Sequence, residues 1–278
     1  MSISVPSTMP GEIPVVPSEE AWRAMSPAAR EAFVIGMNEA LTEAAALMSE
    51  GQPHKKAKSR AMDLLGRHFE AKGRTVYLAE DLSVLYPGER GFAPDVFAVL
   101  DVPQPEEDER LAWVVADEGR GLDVVLEVMH RGHRAKDLAK NVERYARLGI
   151  PEYFVYDRAR QRVTGYRLPA SGVRRYERIM PQAGRVPSRL LGIDLAVQGG
   201  RLSFFDGMAE LFSSDDLIKR LSTMLDNLEA RAEAEQARAE AALARAEAEQ
   251  ARAEAALADK EAVLEELARL RAELARRG

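Results

Sequence analysis

The sequence predicts a mixed α/β sheet flanked by helices, followed by a long C-terminal helix or coiled coil. Three observations carry that expectation. Residues 123–157, DVVLEVMHRGHRAKDLAKNVERYARLGIPEYFVYD, read as strand, short basic turn, helix and strand. Further apolar runs of strand length, separated by turns containing Gly, Pro and acidic residues, stand on both sides of this unit. From Ser213 to Arg277 the chain has neither Gly nor Pro and consists mainly of Ala, Glu, Arg and Leu.

With 278 residues, 46% of them apolar, the chain has enough material for a globular core and a separate appendage. The formal charge of −6 speaks against a protein that coats nucleic acid through charge alone. It leaves room for a nuclease whose basic groups gather in one cleft. Cysteine is absent, which removes disulfides, thiolate nucleophiles and zinc–cysteine sites. No apolar run approaches the roughly 20 residues of a membrane span. The N-terminus lacks the basic start and apolar stretch of a signal peptide, so no membrane partner and a cytoplasmic location are expected.

Residues 1–17, with Pro6, Pro10, Pro14 and Pro17 among small residues, are expected to be extended or disordered. Ser18 with Glu20, and Ser26-Pro27 with Arg30-Glu31, are helix starts, and the second helix stops near Gly51 and Pro53. HKKAKSRAMDLLGRHFEAKG forms another helix, with Ala61, Leu64, Leu65, His68 and Phe69 at core spacing. His54, Lys55, Lys56, Lys58 and Arg60 crowd its N-terminal end, where cations oppose the helix macrodipole. The cluster has no evident stabilising role there and is available to phosphate. RTVYLAEDLSVLYP holds one or two strands. FAPDVFAVLDV holds the next, with Asp95 directly after Pro94, a placement that fits an edge strand or a bulge.

An acidic loop at 103–110 and a short strand in LAWVV lead into the 123–157 unit. Gly149 followed by Pro151 stops its helix, and its two strands are expected to run parallel and largely buried, joined by a right-handed crossover. VTGYRL and VRRYERIM predict a hairpin around Pro169–Gly172, and short strands up to Gly207 complete the domain. The expected organisation is a disordered N-terminus at 1–17, an α/β domain at 18–212 and a helical tail at 213–278. In the tail, Gln236, Leu243, Gln250, Leu257 and Leu264 share one position of a seven-residue repeat. Ala232, Ala239, Ala246, Ala253, Leu267 and Leu274 share another. That period is a coiled coil's, with little apolar area before the Leu-rich end, and it predicts a weak homodimer.

Chemistry enters with Glu127, which stands in the middle of an apolar strand. A buried carboxylate is costly, so a metal, a cation or a proton must accompany it. Asp95, at the entry of another strand, is the second carboxylate of a candidate pair. Two carboxylates at the end of a sheet suit Mg2+ or Mn2+, hard cations that take oxygen ligands, and the Val128 carbonyl offers another oxygen. Metal-assisted hydrolysis also needs a group that orients water and a cation facing the developing charge, for which Lys140 and Lys136, one turn apart, are candidates. His130, Arg131, His133 and Arg134 crowd the preceding turn, where phosphate can meet a helix start.

The order PDV, then LEVM, then KDLAKNVERYARLGIPEYFVYD resembles the Uma-two group of restriction endonucleases in the PD-(D/E)XK nuclease superfamily, over roughly residues 54–212. The resemblance implies a restriction-endonuclease-like fold and magnesium-dependent hydrolysis of DNA. It puts Asp95 and Glu127 in the two metal-binding acidic positions. Met129 stands where the superfamily's usual lysine would be, and Lys140 matches the position to which this group's lysine has moved on the next helix. Asp137 and His54 match further positions of the group, while HRGH departs from its common Ser-Pro-Ser-Thr-like turn. The implied site therefore comprises Asp95, Glu127 and Lys140 as catalytic residues, Asp95, Glu127 and Val128 around the metal, and His130, Arg131, Arg134 and Lys136 toward the substrate. Met129 and the altered turn motivate the alternative, a catalytically degenerate scaffold that works through its coiled coil.

Overall fold

Ser18 caps the first helix by accepting from the Ala21 amide at 3.3 Å, and Ser26 caps the second by accepting from Ala29 at 3.3 Å. These helices are α1 (Glu19–Ala24) and α2 (Pro27–Ala46). The computed structural model describes residues 12–46, 51–105, 109–129 and 134–277. Part of the segment expected to be disordered, residues 1–11, lies outside these. Residues 12–17 correct that expectation. Val15 bridges to Arg90, the Val16 amide donates to Glu89 O at 2.8 Å, and the Val16 side chain is buried with Trp22, Val34 and Met37. Burial of that one side chain, with the backbone bonds beside it, orders a stretch whose prolines alone point to loose chain.

The chain continues through α3 (Gln52–Ala71), β1 (Val76–Ala79), β2 (Ser83–Leu85), β3 (Val96–Leu100), β4 (Ala112–Val114) and α4 (Val115–Glu118). Then follow β5 (Val124–Met129), α5 (Arg134–Leu148), β6 (Glu152–Asp157), β7 (Arg162–Arg167) and β8 (Glu177–Ile179). The last strands are β9 (Val186–Ser188), β10 (Ile193–Gln198), β11 (Arg201–Asp206) and β12 (Ala209–Glu210), and the chain ends in α6 (Ser214–Arg277). Among the described residues the strands form a six-stranded sheet ordered β1-β3-β5-β6-β7-β8, a four-stranded antiparallel sheet ordered β12-β11-β10-β9, and the parallel pair β2-β4. In the large sheet β5 and β6 run parallel, as their α5 crossover requires, and every other neighbouring pair is antiparallel. The sheet is mixed for that reason.

Strand alternation divides the large sheet between two cores. Val96, Ala98, Leu100, Val124, Leu126 and Val128 pack with Ala61, Leu64, Leu65 and Phe69 of α3 and with Leu195 and Phe204 of the smaller sheet. Phe97, Val99 and Val125 face the other way, toward Tyr145, Val142 and Leu138 of α5. One expectation is corrected here. Pro94 marks neither an edge strand nor a bulge, because it lies just before β3, which is an interior strand between β1 and β5. Its carbonyl accepts from the Asp81 amide at 3.1 Å. The missing proline N–H therefore removes no ladder bond.

The chain divides by its contacts into two units, Met1–Ser214 and Asp215–Gly278. The first ends on a cap, where Asp63 accepts from the Ser214 amide at 2.7 Å and from its hydroxyl at 2.9 Å. The second is helix throughout, and its leucines, Leu243, Leu257, Leu264, Leu267, Leu270 and Leu274 among them, are exposed. Gln236 and Gln250 donate to Glu240 and Glu254, each at 3.0 Å, so the sequence repeat returns as a repeated bond along one side. Among the described residues no helix is long and apolar enough to cross a membrane.

Gly165 of β7 packs between Phe154 of the large sheet and Val186 of the smaller one. A Cβ there would lie 2.7 Å from Val186 Cγ1 and 2.9 Å from Phe154 Cε1. Gly165→Val is expected to cost about 1–3 kcal/mol through overpacking, read as a lower urea midpoint at unchanged slope.

Candidate active site

Antiparallel register brings the two candidate carboxylates together. Val96 of β3 pairs with Leu126 of β5, and one step further the same register sets Asp95 against Glu127. Val125 faces the α5 side, so Glu127, two residues on, faces it too, and the Tyr145 hydroxyl of α5 donates to Glu127 Oε1 at 2.8 Å. Asp95 precedes the strand and is reached from several directions. The Val128 amide donates to its Oδ2 at 2.6 Å. From α3, His54 Nε2 lies 3.0 Å from Oδ1, and Lys58 Nζ lies 3.9 Å from the same oxygen. Lys58 is also paired with Asp81 Oδ2 at 2.5 Å.

These contacts set the charge state of the pair. Burial first, and then the Asp95 carboxylate, push Glu127 well above the usual carboxylate range, while the Tyr145 hydrogen bond works in the opposite direction. Burial and the neighbouring charge therefore both favour the neutral form of Glu127 when nothing else neutralises the pair. Burial, followed by the negative charge of Glu127, likewise pushes the Tyr145 phenol far up, so it remains a donor. A carboxylate that must hold a proton against a neighbouring carboxylate is where a divalent cation has most to gain. Among the described residues no group of three or more metal-ligating side chains gathers. Two carboxylates are nevertheless sufficient for Mg2+, which commonly keeps most of its waters and binds through one or two acidic side chains. The residues present fit such an ion.

The structure brings Asp95, Glu127, His54 and Val128 together, Val128 through its amide. It places Lys140 on the exposed side of α5, without an ion pair to Asp95 or Glu127 among the described residues. His130 and Arg131 lie outside the described residues, as do the side chains of Arg134, Lys136 and Asp137, whose backbone opens α5. Sequence reasoning missed Lys58, Asp81 and Tyr145 as members of the site. For Lys58 a signal was present: His54, Lys58, Ala61 and Leu65 recur at helical spacing on one face, so the first two had to point inward with the core. Tyr145 reads as a packing residue of an amphipathic helix, and nothing local ties its hydroxyl to Glu127. Nothing local marked Asp81, which meets Lys58 only through the fold.

A mixed sheet whose antiparallel pair β3–β5 presents Asp95 against Glu127 is the frame of the site. The chain belongs to the Uma2 family, described as "Putative restriction endonuclease", whose model matches residues 42–198. A solved structure described as a "putative nuclease belonging to DUF820" from Anabaena variabilis is similar at 17% identity, covering 52% of this chain and 75% of that chain with a TM-score of 0.40. No curated protein matches the chain at a significant level.

The raised Glu127 pKa has a defined sign for stability. Its folded value lies above the unfolded one, so the associated stability is fully present below the usual carboxylate range and is lost as pH rises through the folded value. In EDTA, Glu127→Gln is expected to raise the melting temperature at pH 8 by roughly 2–4 °C. The gain should shrink toward zero near pH 4–5, about the ordinary Glu range, in thermal melts across pH.

Proposed function

We propose that this protein is a metal-dependent endonuclease that hydrolyses DNA phosphodiester bonds, with Asp95 and Glu127 holding Mg2+ or Mn2+. The observation that carries the reading is the contact of these two carboxylates across β3 and β5, with Glu127 pushed up by burial and by Asp95. Membership in the Uma2 family supports the substrate class. A cytoplasmic location accords with it.

The residues divide the work. Val128 N–H and His54 hold Asp95 in one orientation, and Tyr145 holds Glu127. Glu127 would be the second carboxylate ligand, and the Val128 carbonyl is the proposed third oxygen. A bound divalent cation would make water a stronger nucleophile and offset charge developing on the phosphate. Water oxygen bonds to phosphorus as the bond to one ribose oxygen breaks, leaving a phosphate monoester and a hydroxyl end. The backbone of α5 begins beside the end of β5, so His130, Arg131, Arg134 and Lys136 are proposed to meet DNA phosphates there, with Asp137 nearby in sequence. Lys140, exposed two turns into α5, is proposed to assist on the substrate side.

Plasmid cleavage in Mg2+ or Mn2+ tests this reading. Asp95→Asn is expected to lower the rate by at least about a hundredfold, the scale of removing a group that stabilises the transition state. Lys140→Ala should lower it as well while the melting temperature holds. A wild-type protein that cuts no DNA in either metal refutes the nuclease assignment.

The exposed leucines of α6, together with Met129, favour a second reading, an assembly module with a degenerate nuclease core that pairs through the tail. A chain ending at Ser214 separates the two. If the tail only assembles a working nuclease, the shortened chain cuts DNA and light scattering shows the dimer reduced to a monomer. If full-length protein is monomeric at tens of micromolar, pairing through α6 is refuted.

A further inference from the structure

Only 3% of the Lys58 side chain is exposed. An ammonium group is almost never so covered unless its charge is matched. Here it is shared between two carboxylates, 2.5 Å from Asp81 Oδ2 and 3.9 Å from Asp95 Oδ1. Asp81 is unusual in its own right, with φ at +53°, a left-handed conformation that costs a non-glycine residue energy and marks positions the surroundings over-determine. Its amide donates to Pro94 O at 3.1 Å, the residue directly before Asp95. Lys58, Asp81, Pro94 and Asp95 therefore close a ring of contacts that ties α3, the turn between β1 and β2, and the entry to β3 around one carboxylate. On β5, the Met129 side chain packs against the core on the α5 side.

We infer that Lys58 is the positioning lysine of this site, neutralising Asp95 from the α3 side and holding its carboxylate toward Glu127. The inference rests on the reading of Asp95 and Glu127 as metal ligands. It has a consequence that a merely structural ion pair lacks. A positive charge beside Asp95 competes with a divalent cation for the same carboxylate, so removing it tightens metal binding while the reaction loses its positioning group. Removing the Asp81 carboxylate does the opposite, because one anion that competes with Asp95 for the ammonium is gone.

The experiment is calorimetric titration of Mn2+ into EDTA-stripped full-length protein, with plasmid cleavage measured in parallel. Lys58→Met is expected to bind Mn2+ at least about threefold tighter than wild type, Asp81→Asn about threefold weaker, and Lys58→Arg within about twofold, since like charges near a carboxylate shift the cation's affinity in that order. In cleavage, Lys58→Met should lose about a hundredfold in kcat with KM nearly unchanged, and Lys58→Arg should recover part of it. Equal Mn2+ affinities across the folded variants, whatever their melting temperatures, overturn the inference and leave Lys58 a structural staple. Should Lys58→Met fail to fold, Asp81→Asn decides alone, because the Asp81 side chain is 54% exposed and its loss is tolerable. If wild type binds Mn2+ without cutting DNA, the nuclease reading falls, and the order of affinities still upholds or overturns the role of Lys58. If wild type binds no Mn2+, the metal reading and the inference fall together.

Discussion

The carboxylate of Asp95 is the joint at which three elements of the α/β unit meet. The Val128 amide reaches it from β5, His54 and Lys58 reach it from α3, and its own backbone leads into β3. The Val128 and His54 hydrogen bonds are short and directional and the Lys58 ammonium adds an ion pair at 3.9 Å, so each of these contacts limits where the others can be. A helix that packs on a sheet through Ala61, Leu64 and Leu65 can slide at small cost, because apolar contacts carry no direction. Two polar side chains of the same helix, locked on one carboxylate, remove that freedom. The position of α3 against the large sheet and the orientation of the site are therefore one constraint.

Glu127 shows the other side of that arrangement. Its strand neighbours face apolar cores, and its carboxyl accepts from the Tyr145 hydroxyl. Asp95 holds the contacts with His54 and Lys58, while burial and the Asp95 charge push the Glu127 carboxyl up. This unequal division between neighbouring carboxylates gives the metal-free site an asymmetric environment. Tyr145 belongs to a group of rings, with Phe92 at 5.5 Å and Tyr153 at 4.9 Å between centroids, which buries its ring beside Glu127. The aromatic packing around α5 is for that reason part of the site's electrostatics.

The tail obeys different physics. In α6 the charged and apolar residues alike face solvent, and the helix is sustained by high-propensity Ala, Glu, Arg and Leu with bonds between residues four apart. Its repeat was legible because periodicity is a property of the sequence alone. A partner for it is not, since one period serves parallel, antiparallel and unpaired helices.

Local chemistry by itself determined the helix starts at Ser18 and Ser26, the strands flanking α5, and the inward face of α3 that carries His54 and Lys58. It determined these because caps, breakers and apolar periodicity act within a few residues. The ordering of residues 12–17, the interior place of β3 behind Pro94, and the register that sets Asp95 against Glu127 depended on contacts between segments far apart in the chain. The sharing of Lys58 between Asp81 and Asp95 joins residues 23 and 37 positions apart, and no local preference specifies it. Burial of an ammonium is tolerable only where the fold delivers carboxylates to it, so only the tertiary structure decided which lysine meets the pair.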